Sequence, residues 1–169
     1  MAGIFIKHYN DMNFSFVDLY ETDFYAWTQR QVELLRKRDL NNLDIENLIE
    51  EIDSLGKQEK RESINRLGVL LGQFLKWEYQ SNRRSRSWVA TIREQRYRVL
   101  KLLEENPSLK HYLPEAIAQA YQSGLALAVR ETEMPFKTFP SSNSYTWEQI
   151  ENLDFLPGIK LDSDQDLLN

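Results

Sequence analysis

The chain of 169 residues contains no cysteine and only two histidines, His8 and His111. Without cysteine it has no disulfide framework, no thiolate zinc site and no cysteine nucleophile. Two histidines are too few for a multi-histidine metal site, and the sequence places no catalytic partner beside either, so we interpret both as surface or capping residues. These absences exclude several common classes of metalloprotein and hydrolase.

Other signals are missing as well. No apolar run reaches the length of a secretory signal or of a membrane-spanning helix, so we expect a cytoplasmic protein without a membrane partner. No nucleophile elbow, phosphate-binding loop or dinucleotide fingerprint occurs. The sequence therefore offers no catalytic residue, and it predicts neither a metal site nor another cofactor.

What the sequence does contain is typical of one helical domain. Six glycines and five prolines leave few breaks between stretches rich in Leu, Glu, Lys, Arg and Gln, which are good helix formers. The length suits one sizeable core. We predict an all-α fold, with an N-terminal extension over residues 1–17, a helical domain over 18–157 and an acidic, frayed tail over 158–169.

Apolar residues recur at helical spacing in four long segments and one short one. The first helix is expected to begin with Thr22 as its N-cap, and the last with a capping box between Thr146 and Gln149. This pattern predicts a compact bundle of four main helices, one of them long, plus a short C-terminal helix. The predicted helices span about residues 22–38, 42–79, 87–106, 107–131 and 146–153.

Each of the first two predicted helices carries its apolar residues along one side. On the first helix this side comprises Phe24, Trp27, Gln31, Leu34 and Leu35, and on the second it begins with Ile45, Leu48, Ile49, Ile52 and Leu55.

Gly56 decides whether the second helix is continuous. An unbroken helix from the low forties to Tyr79 would span on the order of 55 Å, which favours a kink in a chain of this size. Good helix formers follow at 59–62, however, and glycine costs only about 1 kcal/mol inside a helix. We favour a continuous helix that is able to bend. Gly68 and Gly72 lie where a neighbouring helix could approach closely, with tolerated defects as the alternative.

Positive charge is concentrated in one segment. Residues 83–101 hold seven bases and one acid, a net charge of +6, so the remaining 150 residues carry −11 and the whole chain −5. Arginine suits bidentate binding of phosphate, and aromatic residues lie nearby. One interpretation is an anion-binding or nucleic-acid-binding site over residues 83–98. Its candidate residues are Arg83, Arg84, Arg86, Arg93, Arg96, Trp77 and Trp88.

The alternative for this segment is structural, and we favour it because the chain as a whole is acidic. In this interpretation the arginines pair with acids of the second helix, namely Glu46, Glu50, Glu51, Asp53, Glu59 and Glu62. A metal site on Glu46, Glu50 and Asp53, which share a helix face, is disfavoured because carboxylate-bridged dimetal bundles also use Glu-x-x-His pairs, which this chain lacks.

Aromatic residues are concentrated near the N-terminus, where eight of the 20 fall within 27 residues. Core packing is the default explanation for large rings. A partner or dimer surface is the alternative. The eight residues are Phe5, Tyr9, Phe14, Phe16, Tyr20, Phe24, Tyr25 and Trp27.

Several motifs in a fixed order resemble a known family. They are YETDFYAW at 20–27, NLIEEIDSLG at 47–56, LKWEYQ at 75–80, SW at 87–88, TI at 91–92, QR at 95–96, NPSL at 106–109, Tyr121, ET at 131–132 and FP at 139–140. Over about residues 18–157 the chain is similar to the bacterial family catalogued as domain of unknown function 29, which is abundant in cyanobacteria. The resemblance implies a small helical cytoplasmic protein and carries no reaction, cofactor or catalytic residue.

Two functions from different classes remain at this point. The first is a non-enzymatic helical protein-interaction module, with a protein partner or self-association into a homodimer. The second is binding of nucleic acid or a phosphate ligand through the arginine segment. An enzyme ranks below both because no catalytic motif is visible.

Overall fold

The computed structural model describes residues 16–158, 160–162 and 164–168, and all regular secondary structure within these residues is helical. The chain divides into two compact units, residues 1–56 and 57–169. Seven α-helices are described: α1 (Phe16–Thr22), α2 (Phe24–Lys37), α3 (Ile45–Tyr79), α4 (Arg86–Glu105), α5 (Leu113–Thr132), α6 (Trp147–Glu151) and α7 (Asp164–Leu168).

The all-α prediction is confirmed, and α2 to α6 correspond to the five predicted helices. The long helix α3 is continuous through Gly56. The N-cap prediction at Thr22 is wrong, because Thr22 ends the unpredicted helix α1. Asp23 caps α2 instead, and its side chain accepts a hydrogen bond of 3.0 Å from the backbone N–H of Ala26. Asp is as good an N-cap as Thr, so the sequence pattern fits either position.

The first unit is a helical hairpin. Helix α2 ends at Lys37, a short 3₁₀ turn (Leu40–Asn42) follows, and α3 returns in the opposite direction. Trp27 and Leu34 of α2 are buried. The indole of Trp27 donates a hydrogen bond of 3.0 Å to Asp44, just before α3, and Tyr20 donates one of 2.6 Å to Glu51. The later residue, Trp27, pairs with the earlier partner, Asp44, and the earlier residue, Tyr20, pairs with the later partner, Glu51, as expected for antiparallel segments.

The second unit is built on the C-terminal half of α3, where six large apolar side chains are fully buried. They are Leu67, Leu70, Leu71, Phe74, Leu75 and Trp77. Helix α5 approaches this helix closely, because a Cβ atom at Gly124 would lie 2.7 Å from the carbonyl oxygen of Gly68 and 2.9 Å from the nitrogen of Gly72. The predicted close approach at Gly68 and Gly72 is therefore confirmed.

The C-terminal residues bear out one prediction and contradict another. The capping box of α6 is present, with Thr146 accepting from the backbone of Gln149 and Gln149 accepting from that of Thr146. The expectation that the tail frays is wrong at Asp164, which begins α7 and is buried. Its carboxylate is held by a distant arginine, described below, and local sequence carries no signal for such a contact.

Candidate functional site

The arginine segment, residues 83–98, begins at the last residue of a 3₁₀ turn (Ser81–Arg83) and extends through most of α4. Helix α4 begins here because Ser85 caps it, accepting a hydrogen bond of 3.4 Å from the backbone N–H of Trp88. Each step along a helix rotates a side chain by about 100°, so the bases of α4 point to several sides rather than to one.

Arg96 points into the second unit and is only 1% exposed. Its guanidinium donates three hydrogen bonds to main-chain carbonyl oxygens, of Ile150 at 2.8 Å, Leu153 at 3.0 Å and Phe155 at 2.8 Å. Burial lowers the pKa of Arg96 to about 10, with the charge of Asp154 opposing the shift. Arg96 therefore holds the end of α6 and the residues after it, where carbonyl groups lack helical partners.

Arg84 and Arg86 also hold the C-terminal residues. Nη1 of Arg84 lies 2.7 Å from Oδ2 of Asp164, and Nε donates to the carbonyl oxygen of Trp77 at 2.9 Å. The Arg84 guanidinium lies 4.8 Å from the centre of the Trp77 ring. Arg86 is exposed and donates two hydrogen bonds to the carbonyl oxygen of Asp166, at 3.0 and 3.3 Å.

The seven predicted site residues are not brought together on one open face. Arg84, Arg96 and Trp77 lie inside the second unit, and Trp88 is half-buried. Arg83, Arg86 and Arg93 are exposed.

Pairing of the arginines is therefore present, but with partners that the sequence does not predict. The hydrogen bonds of Arg84, Arg86 and Arg96 described above go to Trp77 and to residues 150–166, whereas the prediction placed their partners at Glu46, Glu50, Glu51, Asp53, Glu59 and Glu62. Glu62 itself binds Arg66 at 2.7 Å. Five of the new acceptors are main-chain carbonyls, and these have no signature in a sequence.

Lys76 is a buried lysine that the sequence motifs do not single out. Lys76 is nearly inaccessible, and its ammonium lies 2.5 Å from Glu131, 3.0 Å from Oε1 of Gln73 and 4.3 Å from the centre of the Trp88 ring. Its position between Leu75 and Trp77 in a buried stretch is the one sequence signal that could have found it. With three partners, this cation is satisfied as part of the architecture.

Two further findings concern metal clusters and membrane-spanning helices. Among residues 16–158, 160–162 and 164–168, no group of three or more His, Asp or Glu side chains is arranged to hold a metal ion. None of the helices in these ranges combines the length and the apolar character that crossing a bilayer requires.

The most unusual feature of the first unit is its exposed apolar side chains. Nine large apolar residues between 24 and 55 are 38–74% exposed. We call this set the first-unit apolar surface. It comprises Phe24, Tyr25, Val32, Leu35 and Leu40, together with Ile45, Ile49, Ile52 and Leu55 of α3.

The α3 part of this surface consists of residues that helical spacing places on one side of the helix. Ile45, Ile49, Ile52 and Leu55 are exposed, and Leu48 is half-buried. Tyr20 of α1 binds Glu51, and Trp27 of α2 binds Asp44 just before α3, so these contacts lie on one side of this segment. The remaining apolar side faces solvent in the isolated chain.

The aromatic cluster of the first unit divides between core and surface. Tyr20 and Trp27 meet edge to face at 4.9 Å, and Phe24 stacks on Trp27 at 5.5 Å. Core packing is confirmed for Trp27, which is buried, whereas Phe24 and Tyr25 are exposed. The predictions for Phe5, His8, Tyr9, Phe14 and the Phe16 side chain lie outside the described residues.

Comparison with known proteins gives one match. The family model described as Domain of unknown function DUF29 matches residues 19–156, which is most of the chain and nearly the range of the resemblance in the sequence. No curated protein and no solved structure matches the chain.

Proposed function

This chain belongs to the family described as domain of unknown function DUF29, and we propose that it is a non-enzymatic interaction module that forms a homodimer. The first-unit apolar surface of one copy packs against the same surface of a second copy. Since the family description names no activity, the proposal depends on this surface alone.

The size of the surface supports a stable interface. A large apolar or aromatic side chain presents roughly 150–250 Å² when fully exposed, so nine that are about half exposed present on the order of 1,000 Å². Single apolar patches on monomeric proteins usually reach only about 300–600 Å². A standard interface buries about 800 Å² on each partner. The surface therefore has the area that a stable dimer needs.

Its charges favour a second copy as the partner. Arg36 borders the surface on α2, and Glu46 and Glu50 border it on α3. A surface that carries both signs beside one apolar centre can complement itself in a two-fold dimer, in which each patch meets an identical patch.

Light scattering coupled to size-exclusion chromatography tests the proposal. At tens of micromolar we expect a mass of about twice the 20.1 kDa of the chain. The double variant Ile49→Asp/Ile52→Asp is expected to be monomeric, because burying two carboxylates in an apolar interface is costly. Leu153→Asp is the matched control, since Leu153 is as exposed as Ile49, at 64% against 63%, but lies in the second unit.

Circular dichroism establishes that each variant remains helical. A monomeric wild-type protein at this concentration overturns the proposal, and so does a dimer that survives in Ile49→Asp/Ile52→Asp. A dimer that is lost equally in Leu153→Asp also contradicts it, because the change would then not depend on the first-unit apolar surface.

Binding of nucleic acid or a phosphate ligand through the arginine segment is the second candidate. Arg84 and Arg96 already bind the C-terminal residues, so such binding would depend on Arg83, Arg86 and Arg93, which are exposed. The homodimer is favoured because it accounts for the first-unit apolar surface.

A further inference from the structure

We infer that the two hairpins of the dimer form a four-helix bundle in which α2 of each copy lies across α3 of the other, with Arg36 of one copy paired with Glu46 of its partner copy. The hairpin here means α2, the turn after it and residues 45–55 of α3. This inference rests on the proposed homodimer and specifies how its two copies are arranged.

The first step is that both exposed stripes lie on the same side of the hairpin. On α2 the buried Leu34 is followed by the exposed Leu35, and on α3 the half-buried Leu48 is followed by the exposed Ile49. In both helices the exposed stripe is thus rotated from the covered side by about one residue step, or about 100°, about the helix axis in the direction of increasing residue number. Because α2 and α3 are antiparallel, the same rotation brings both stripes to one side. The hairpin therefore offers a two-helix apolar face.

The second step concerns the edges of that face. One further residue step leads from Leu35 to Arg36 on α2, and from Ile45 and Ile49 to Glu46 and Glu50 on α3. This rotation continues in the same sense, to the side of each helix that is turned away from the other helix of the hairpin. We call this side the outer edge. Arg36 therefore lies on the outer edge of α2, and the glutamates lie on the outer edge of α3. One edge of the face is basic at Arg36 and the opposite edge is acidic.

The third step selects between two ways of packing such faces with two-fold symmetry. If α3 of one copy lies on α3 of the other, the acidic edges meet and like charges oppose each other. If α2 lies on α3, the outer edge of α2 lies beside the acidic outer edge of the partner copy's α3. Opposite charges then meet at both edges of the bundle, because the two-fold axis repeats every contact. Electrostatic repulsion thus excludes the first arrangement and favours the second.

The position along the helices identifies the pair. Arg36 lies in the last turn of α2, and Glu46 lies in the first turn of α3. Both residues are therefore at the end of the hairpin that contains the turn. The favoured arrangement keeps these ends together, since its two-fold axis runs along the helices. Glu50 lies one turn further away, so Glu46 is the acid nearest to Arg36 of the partner copy.

Charge reversal tests this pair. Arg36→Glu and Glu46→Arg are each expected to raise the dissociation constant of the dimer roughly tenfold or more, because each puts like charges at two symmetric contacts. The combined variant Arg36→Glu/Glu46→Arg exchanges the charges and is expected to recover affinity to within about threefold of the wild type. Sedimentation equilibrium measures the three constants.

Lys37→Glu is the matched control, since Lys37 is the next basic residue but lies a further step around α2, where it binds Glu33. We expect it to change the dissociation constant by less than about threefold. The difference in dissociation constant between the wild type and the single charge reversals is also expected to shrink as salt is added, because salt screens ion pairs at the edge of an interface.

The outcomes separate this inference from the proposed function. A monomeric wild-type protein overturns both. A dimer that is abolished by Ile49→Asp/Ile52→Asp, but in which the combined charge reversal is at least as weak as either single reversal, leaves the homodimer standing and overturns the arrangement. Equal affinity of the wild type and both single reversals has the same consequence.

Discussion

Nη1 of Arg84 lies 2.7 Å from Oδ2 of Asp164, although the two residues are 80 positions apart in the chain. Both side chains are almost completely buried, with 3% and 7% of their surface exposed. Asp164 also accepts a hydrogen bond of 2.8 Å from the backbone N–H of Leu161. The pair thus fastens the C-terminal residues to the connection between α3 and α4.

Removing one partner of this pair should be costly. Asp164→Ala removes the carboxylate that pairs with the buried Arg84 guanidinium, for which we expect a loss of about 3–5 kcal/mol in the free energy of unfolding. Asp166→Ala is the control, because Arg86 contacts only the main-chain carbonyl of Asp166, and a change within about 0.5 kcal/mol is expected. Urea denaturation measures both. Equal unfolding midpoints for the two variants would contradict the structural role of Asp164.

The glycines of α3 and α5 provide a pair of opposite predictions. Nothing lies within 4 Å of a Cβ atom added at Gly56, so Gly56→Ala should stabilise the protein by about 0.5–1 kcal/mol through helix propensity. A Cβ at Gly124 would meet the backbone of Gly68 and Gly72 at 2.7 and 2.9 Å. Gly124→Ala should therefore destabilise by about 1–3 kcal/mol.

Thermal denaturation followed by circular dichroism checks the two signs. A rise of the melting temperature in Gly124→Ala would show that α3 and α5 can separate without cost. A fall of the melting temperature in Gly56→Ala would show that this position needs a glycine, and it would contradict a continuous helix through Gly56.

Tyr20 is expected to titrate unusually late. Its hydrogen bond to Glu51, followed by partial desolvation and the charges of nearby glutamates, raises the pKa of Tyr20 from 10.0 to about 12. A raised pKa in the folded state means that the contribution of the neutral phenol to stability is complete below pH 10 and is lost as the pH rises towards 12.

The near-ultraviolet absorbance of tyrosinate measures this titration as the difference between wild type and Tyr20→Phe. We expect one group with a pKa near 12, and Glu51→Gln should lower that pKa because it removes the nearest negative charge. A difference curve centred on pH 10, both in the protein with Glu51 and in the Glu51→Gln variant, would mean that Tyr20 and Glu51 are not hydrogen-bonded in solution.

Weak binding of polynucleotides is the fourth prediction. Since Arg84 and Arg96 are committed to the C-terminal residues, we expect little change in the fluorescence anisotropy of a labelled single-stranded DNA at low salt. Tight binding that falls steeply with added salt, and that Arg83→Glu/Arg93→Glu removes, would support a nucleic-acid site instead. Arg84 is not a suitable position for this test, because changing it breaks a buried ion pair.

Local sequence signals account for much of the fold. The capping box at Thr146 and the continuity of α3 through Gly56 follow from helix propensity and capping, which act between near neighbours. Helices α1 and α7 have no clear signal in the sequence, because seven and five residues are too few to show a helical periodicity.

The candidate site was less predictable. The charge segregation was visible in the sequence, but the acceptors of Arg86 and Arg96 are carbonyl oxygens of distant residues. The identity of a residue says nothing about which carbonyl lies near it. Ile49 illustrates the same limit for apolar residues, since periodicity places it on one side of α3 but does not reveal whether another helix covers that side.

The sequence by itself determined an all-α protein with four long helices, one of them crossing Gly56 unbroken, because those features depend on residues within a few turns of each other. The tertiary structure alone decided that the arginine segment binds the C-terminal residues and that the apolar side of the first α3 turns stays exposed. Both outcomes depend on which distant segments pack together. That packing leaves the first-unit apolar surface uncovered, and the proposed function depends on it.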